Sequence, residues 1–198
     1  MIFRRGVIIA VALMLAAVAL MLAAAASAPA QLLEGEKAHE GWQRPRSSQP
    51  GSRPDAASLR FLIGDWEAIG TPAGETGGFT FSLGVQNRIM TRTNYATYDA
   101  RNGRTASRHD DLMVIYEEGG QLKADYFASE RHVIRYLVEP RGDHDVMFVS
   151  DAKPSDPRYR LRYTARNDGT LAGRFEIAAP GTPDAFTPYL SWTARKRP

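Results

Sequence analysis

The chain has 198 residues, no cysteine, and a net charge of +3 from 25 basic and 22 acidic side chains. The missing cysteines exclude disulfides, thiol nucleophiles and zinc–thiolate sites. Removing Arg4 and Arg5 with a leader would leave 23 basic residues against 22 acidic ones, and that balance lacks the strongly basic face of a nucleic-acid binder.

The N-terminus reads as an export signal. Arg4 and Arg5 precede an uncharged apolar run over residues 6–26, and Ala28-Pro29-Ala30 fits a small-x-small cleavage site with Gln31 as the new terminus. The run is long for a signal peptide and long enough to span a bilayer, so an uncleaved inner-membrane anchor is the alternative. Export places the protein in the periplasm or outside the cell, and any membrane contact would come through this segment. Residues 31–56 read as a flexible linker. They carry Gly35, Gly41, Pro45, Pro50, Gly51 and Pro54 without a sustained apolar period, and such composition buries too little surface to offset chain entropy. Trp42 is the one large ring there, expected to pack loosely on the domain that follows.

Residues 57–198 read as one all-β domain. Short runs rich in β-branched and aromatic residues alternate with Gly-containing turns. The expected strands cover residues 60–69, 79–83, 87–98, 107–117, 122–127, 132–139, 145–150, 158–163, 171–178 and 185–195. Asn102-Gly103, Glu118-Gly119-Gly120, Pro140-Arg141-Gly142-Asp143 and Asn167-Asp168-Gly169 mark tight turns. No segment keeps a helical period, and no connection is long enough for a βαβ crossover. A closed, antiparallel, up-and-down barrel of about ten strands follows, because closure removes the edges an open sheet would have to protect.

Phe61-Leu62-Ile63-Gly64-Asp65-Trp66 resembles the opening strand of lipocalin-like (calycin-type) barrels. The resemblance implies that Gly64 and Trp66 pack across the closed end and that Arg195, from the last strand, lies over the indole. The blocks around 109–116, 132–136 and 173–177 make the domain look like a bacterial family of secreted barrels without an established activity. A more distant likeness in shape is to nitrobindin-type haem barrels. Their axial His comes from the C-terminal strands, and residues 161–198 contain no His, so haem is disfavoured and no other cofactor is indicated.

Candidate chemistry is sparse. Alternation puts His109 and Asp111 on one strand face and Asp110 on the other. If the first face is inward, His109 and Asp111 form a possible acid–base pair, with His132 as a second candidate base. The competing reading makes both histidines structural and the carboxylates solvated. Asp143-His144-Asp145 reads as a turn tip. No nucleophile elbow, phosphate loop or paired metal-ligand motif occurs. Arg158, Arg160 and Arg162 share the face opposite Tyr159, Leu161 and Tyr163. They face water if the apolar set fills the barrel, where they form either a solvated face or an outer patch for anions. Arg92, Tyr95, Tyr126, Tyr136 and Tyr163, with His132, are the residues expected to line a cavity and offer polar anchors.

The sequence thus predicts an exported lipocalin-like barrel that binds a small apolar or amphipathic ligand. An enzyme using a His base in the cavity and a structural envelope protein with a filled barrel are the alternatives. Interior packing discriminates between them, because function resides in the site and not in the fold.

Overall fold

The computed structural model describes residues 56–101, 103–153 and 155–198. The leader, residues 31–55 of the linker with Trp42, Asn102 and Pro154 lie outside the described residues, whereas Ala56, the last residue assigned to the linker, belongs to the domain. Ten strands form one closed barrel: β1 (Gly64–Ile69), β2 (Glu75–Gly84), β3 (Ile89–Tyr98), β4 (Ser107–Glu118), β5 (Gln121–Ala128), β6 (Val133–Pro140), β7 (Asp145–Ser150), β8 (Arg158–Ala165), β9 (Thr170–Ala178) and β10 (Thr187–Lys196). Every strand pairs antiparallel with its sequence neighbours, and β1 closes the ring by pairing with β10.

The expected first strand starts too early. Ala56–Leu62 is a 3-10 helix, with Ala56, Leu59 and Leu62 buried. A three-residue period eclipses Leu59 and Leu62 on one side, and that side plugs one end of the barrel. The Trp66 indole N–H donates to the Leu62 carbonyl at 2.7 Å, and Phe61 meets His144, in the turn after β6, edge to face at 6.4 Å. This capped end also collects the short turns after β2, β4 and β8. The opposite, loop end carries the connections after β1, β3, β5, β7 and β9.

Inward residues follow the period of two. Tyr163 is fully buried on β8, and four rings surround it: Phe81 at 5.5 Å, Phe79 at 5.7 Å, Trp192 at 5.8 Å and Phe148 at 6.3 Å. Burial of each such side chain contributes roughly 1.5–3 kcal/mol. Gly173 makes the cluster possible. It lies between Tyr163 and Trp192 in the pairing, and a Cβ there would sit 2.0 Å from the Trp192 ring.

The Gly-x-Trp block works differently from the expectation. The β1–β10 register sets Trp66 opposite Lys196 and Glu67 opposite Arg195. Lys196 therefore shares the Trp66 side, and its ammonium lies 5.7 Å from the indole centroid. Arg195 is exposed on the other face. Gly64 has φ of 128°, and a Cβ there would come within 2.2 Å of the Lys196 stem. The backbone conformation favours glycine, whereas the flexible Lys196 stem could swing away from a methyl group. The cation over Trp66 is Lys196, and Arg195 does not take that role.

Candidate functional site

From mid-barrel to the loop end the inward face of β3 and β4 turns polar. Arg92 and Asn94 follow Met90 on β3, and His109 and Asp111 precede Met113 on β4. Antiparallel pairing sets Asn94 opposite Asp111 and Arg92 opposite Met113. Arg92 then reaches two partners. Nη2 donates to Asp111 Oδ1, with both side chains at most 5% exposed, and Nη1 donates to the Tyr163 hydroxyl at 2.5 Å. Asn94 Nδ2 donates to Asp111 Oδ2 at 2.7 Å.

His109 extends the network to the rim. Its Nε2 lies 3.1 Å from Asp111 Oδ2, and its Nδ1 lies 2.7 Å from Glu130 Oε1, in the connection between β5 and β6. Tyr126, inward on β5, places its hydroxyl 3.3 Å from His109 Nε2, and the Arg92 guanidinium stands 5.8 Å from the Tyr126 ring centroid. Two cations and two carboxylates are thus linked in one chain of charge-assisted hydrogen bonds.

The titration behaviour follows. The hydrogen bond to Asp111 raises the His109 pKa to about 9, against burial and with help from Glu130. Burial opposes ionisation of Asp111, but Arg92 and His109 outweigh it and hold the carboxyl below its ordinary value. Burial also opposes the Arg92 charge. Tyr163 and Asp111 more than compensate, so the guanidinium stays protonated. Burial pushes the Tyr126, Tyr136 and Tyr163 hydroxyls up, keeping them neutral donors and acceptors. An imidazolium that donates from both nitrogens has no free lone pair with which to accept a proton. The His109–Asp111 juxtaposition expected from alternation is present, but it is built as a salt link.

The other candidate residues separate. Tyr136 is inward and 3% exposed, packed edge to face on Phe148 at 6.1 Å. His132 is half-buried just before β6, on the rim. Tyr95 does not line the interior. It lies on the outer face across from Gly78 and covers that glycine, with Cε1 at 3.1 Å from the position of a Cβ. Arg197 donates to its hydroxyl at 2.9 Å, and the Arg108 guanidinium lies 5.1 Å from its ring centroid. The inward place went to its polar neighbours, Arg92 and Asn94. The row of Arg158, Arg160 and Arg162 faces outward, where each meets a carboxylate: Asp184, Glu176 and Asp145 respectively.

Two features escaped sequence reading. Glu130 sits in a turn, where no periodicity points to it, and Asn94 looks like any polar strand residue. Beside the ionic chain, half-buried Tyr126, Ile134, Tyr159, Phe175 and Trp192 pack against the core. Tyr159 stacks on Phe175 at 5.8 Å, and Phe175 meets Tyr189 edge to face at 6.2 Å. Among the described residues, the buried side-chain atoms without a hydrogen-bond partner are Arg92 Nε and the Tyr189 hydroxyl oxygen.

Comparison with known proteins finds no matching family and no matching curated protein.

Proposed function

We propose that this is an exported, lipocalin-like binding module that takes a small amphipathic ligand at the loop end of its barrel. The observation that carries the reading is the enclosed Arg92 Nε–H, which has no partner among the described residues. Leaving a buried donor unmet costs about 1–3 kcal/mol, and a ligand oxygen admitted by movement of the side chains that enclose it would recover that energy. The half-buried Tyr126, Tyr159 and Phe175 supply apolar faces for the rest of such a molecule. One or two polar anchors beside aromatic walls suit ligand orientation. The Gly64–Trp66 cap and the sequential ten-strand ring support the lipocalin likeness. The apolar run at 6–26 with its small-residue site supports export.

The packed rings around Tyr163 favour the second reading, a structural envelope protein with a filled barrel, for the capped half. Native mass spectrometry of the protein purified from its own cell separates the two. The binding reading expects a co-purifying small molecule, together with saturable fluorescence of 1-anilinonaphthalene-8-sulfonate after its removal. It also expects at least tenfold weaker dye binding in Phe175→Ala. A bare mass with no dye binding overturns the reading in favour of the filled barrel.

A further inference from the structure

The outer wall of β8, β9, β10 and β1 carries a second feature, independent of the loop-end site. Outward side chains form rows across the strands. Thr164 pairs with Ala172, Ala172 with Thr193, and Thr193 with Ile69. On one side of this row Arg162 pairs with Arg174 and Arg174 with Ser191. On the other side stand Arg166, just past the end of β8, and Arg195, which pairs with Thr170. The short side chains of Thr164, Ala172 and Thr193, between Arg162 and Arg174 on one side and Arg166 on the other, leave a furrow of about 550 Å³ whose lining also includes Ser191 and Ile69.

The furrow is cationic. Asp145, 14% exposed, lies under Arg162, and Glu176, 7% exposed, is shared by Arg160 and Arg174. Arg166 bonds the Thr193 hydroxyl at 3.3 Å and also feels Asp168, whose carboxylate is engaged by Thr170. Arg195 is exposed opposite Glu67, which lies 3.6 Å from Arg197. Arg162, Arg166 and Arg174 line the furrow, with Arg160 and Arg195 just beyond it. Against these five arginines stand Asp145, Glu176, Asp168 and Glu67, the last shared with Arg197, so positive charge is in excess along a recessed, hydroxyl-bearing floor. Of the exposed large apolar residues, Leu112, Phe127, Val133 and Leu137 lie elsewhere, on β4, β5 and β6, and Val85 lies in the turn after β2; Leu190 is on β10 but outside the furrow lining.

We propose that this furrow binds an acidic glycan chain, its carboxylates held by the flanking arginines and its hydroxyls by the serine and threonine floor. Guanidinium matches carboxylate geometry in bidentate fashion. A lipid surface would require apolar anchors beside the cations, and a single-stranded nucleic acid would require exposed ring platforms. The floor of this furrow is mostly Thr164, Ala172 and Thr193, with the single large apolar side chain Ile69 at its β1 end, and the Trp192 ring that borders it is turned inward against Tyr163.

The test is titration of the protein with hexagalacturonate at low ionic strength, alongside a neutral galactose hexamer, phosphatidylglycerol vesicles and oligo-dT. The proposal expects saturable binding of the uronate alone, weakening as salt rises. Arg166→Gln with Arg195→Gln should lower affinity at least tenfold. Ala172→Met fills the floor and keeps every charge, and it should lower affinity as much with an unchanged melting curve. Arg135→Gln, on β6 of the opposite wall, should change nothing. No uronate binding, equal binding of the neutral hexamer, or preference for vesicles or oligo-dT overturns the proposal. So does full binding by the folded Ala172→Met variant, which would show charge alone at work. If Ala172→Met does not fold, the paired arginine variant still decides. Removal of the loop-end ligand leaves these outcomes unchanged.

Discussion

The two halves of the barrel interior are built from the same alternation but by different chemistry. In the capped half, Leu59, Leu62, Phe81, Phe148 and Tyr163 are fully buried and touch only through apolar surface and ring edges. From mid-barrel to the loop end, Arg92, Asp111, His109 and Glu130 form a linked ionic chain beside half-buried rings. The first half is stabilised by area removed from water and is tolerant of polar change nowhere. The second depends on each charge having its partner, so its stability is contingent on the chain being complete. Tyr163 joins them, its ring in the apolar cluster and its hydroxyl on Arg92.

The sharpest way to break this contrast is at Asp111. Asp111→Ala leaves Arg92 enclosed without its carboxylate and should cost about 3–5 kcal/mol in urea unfolding. Adding Arg92→Met, which removes the stranded charge, should return most of that loss. A double variant as unstable as the single one would mean the loop half is held by packing, like the capped half.

On the apolar side the corresponding probe is Gly173→Ala. The added methyl meets the Trp192 ring, and relief requires the ring to leave Tyr163. Overpacking of this kind costs about 1–3 kcal/mol. The loss should appear equally at pH 5 and pH 8, since no titrating group is displaced, with a changed near-ultraviolet circular dichroism from the two rings.

The loop half should instead respond to pH. The folded His109 pKa, about 9, lies above the value near 6.5 of an unfolded chain. Its contribution is therefore complete below about pH 6.5 and is lost as pH rises through about 9. Asp111 and Glu130 are shifted down, so their contributions are present above the ordinary carboxylate range and fade on acidification. Unfolding free energy should decline between pH 7 and 9.5 in the native protein. In His109→Gln that slope should be absent, the midpoint already being lower at pH 7.

The sequence made the barrel legible because most strands alternate cleanly. Tyr159, Leu161 and Tyr163 point in and Arg158, Arg160 and Arg162 point out, as the pattern of β8 demands. The reading failed where both faces of a strand are polar. In Arg92-Thr93-Asn94-Tyr95 hydrophobicity favours the tyrosine as the inward residue, whereas the inward place is taken by side chains that satisfy Asp111. The His109–Asp111 pair was visible as a spacing of two. That it is a closed salt link was not, because Glu130 comes from a turn 21 residues away. The 3-10 helix was hidden because Phe61-Leu62-Ile63 has strand composition, although Leu59 and Leu62 already carry the three-residue spacing.

The smallest predicted effect concerns a single residue of register at the capped end. The lipocalin resemblance assigns the cation over Trp66 to Arg195, yet the β1–β10 pairing brings Lys196 there. An exposed cation over an indole contributes about 0.5–1 kcal/mol, and the Lys196 stem also covers Gly64. Lys196→Ala should therefore lower the unfolding midpoint slightly and shift the Trp66 emission as the ring gains water. Arg195→Ala should do neither, because that side chain points away into solvent. Urea titrations of the two variants followed by tryptophan fluorescence make the comparison. If Arg195→Ala were the one to shift the emission, the β10 register would be off by one residue. An offset of one turns every side chain of a strand to the other face, so Trp192 would leave Tyr163 and the apolar cluster would lose one of its four surrounding rings.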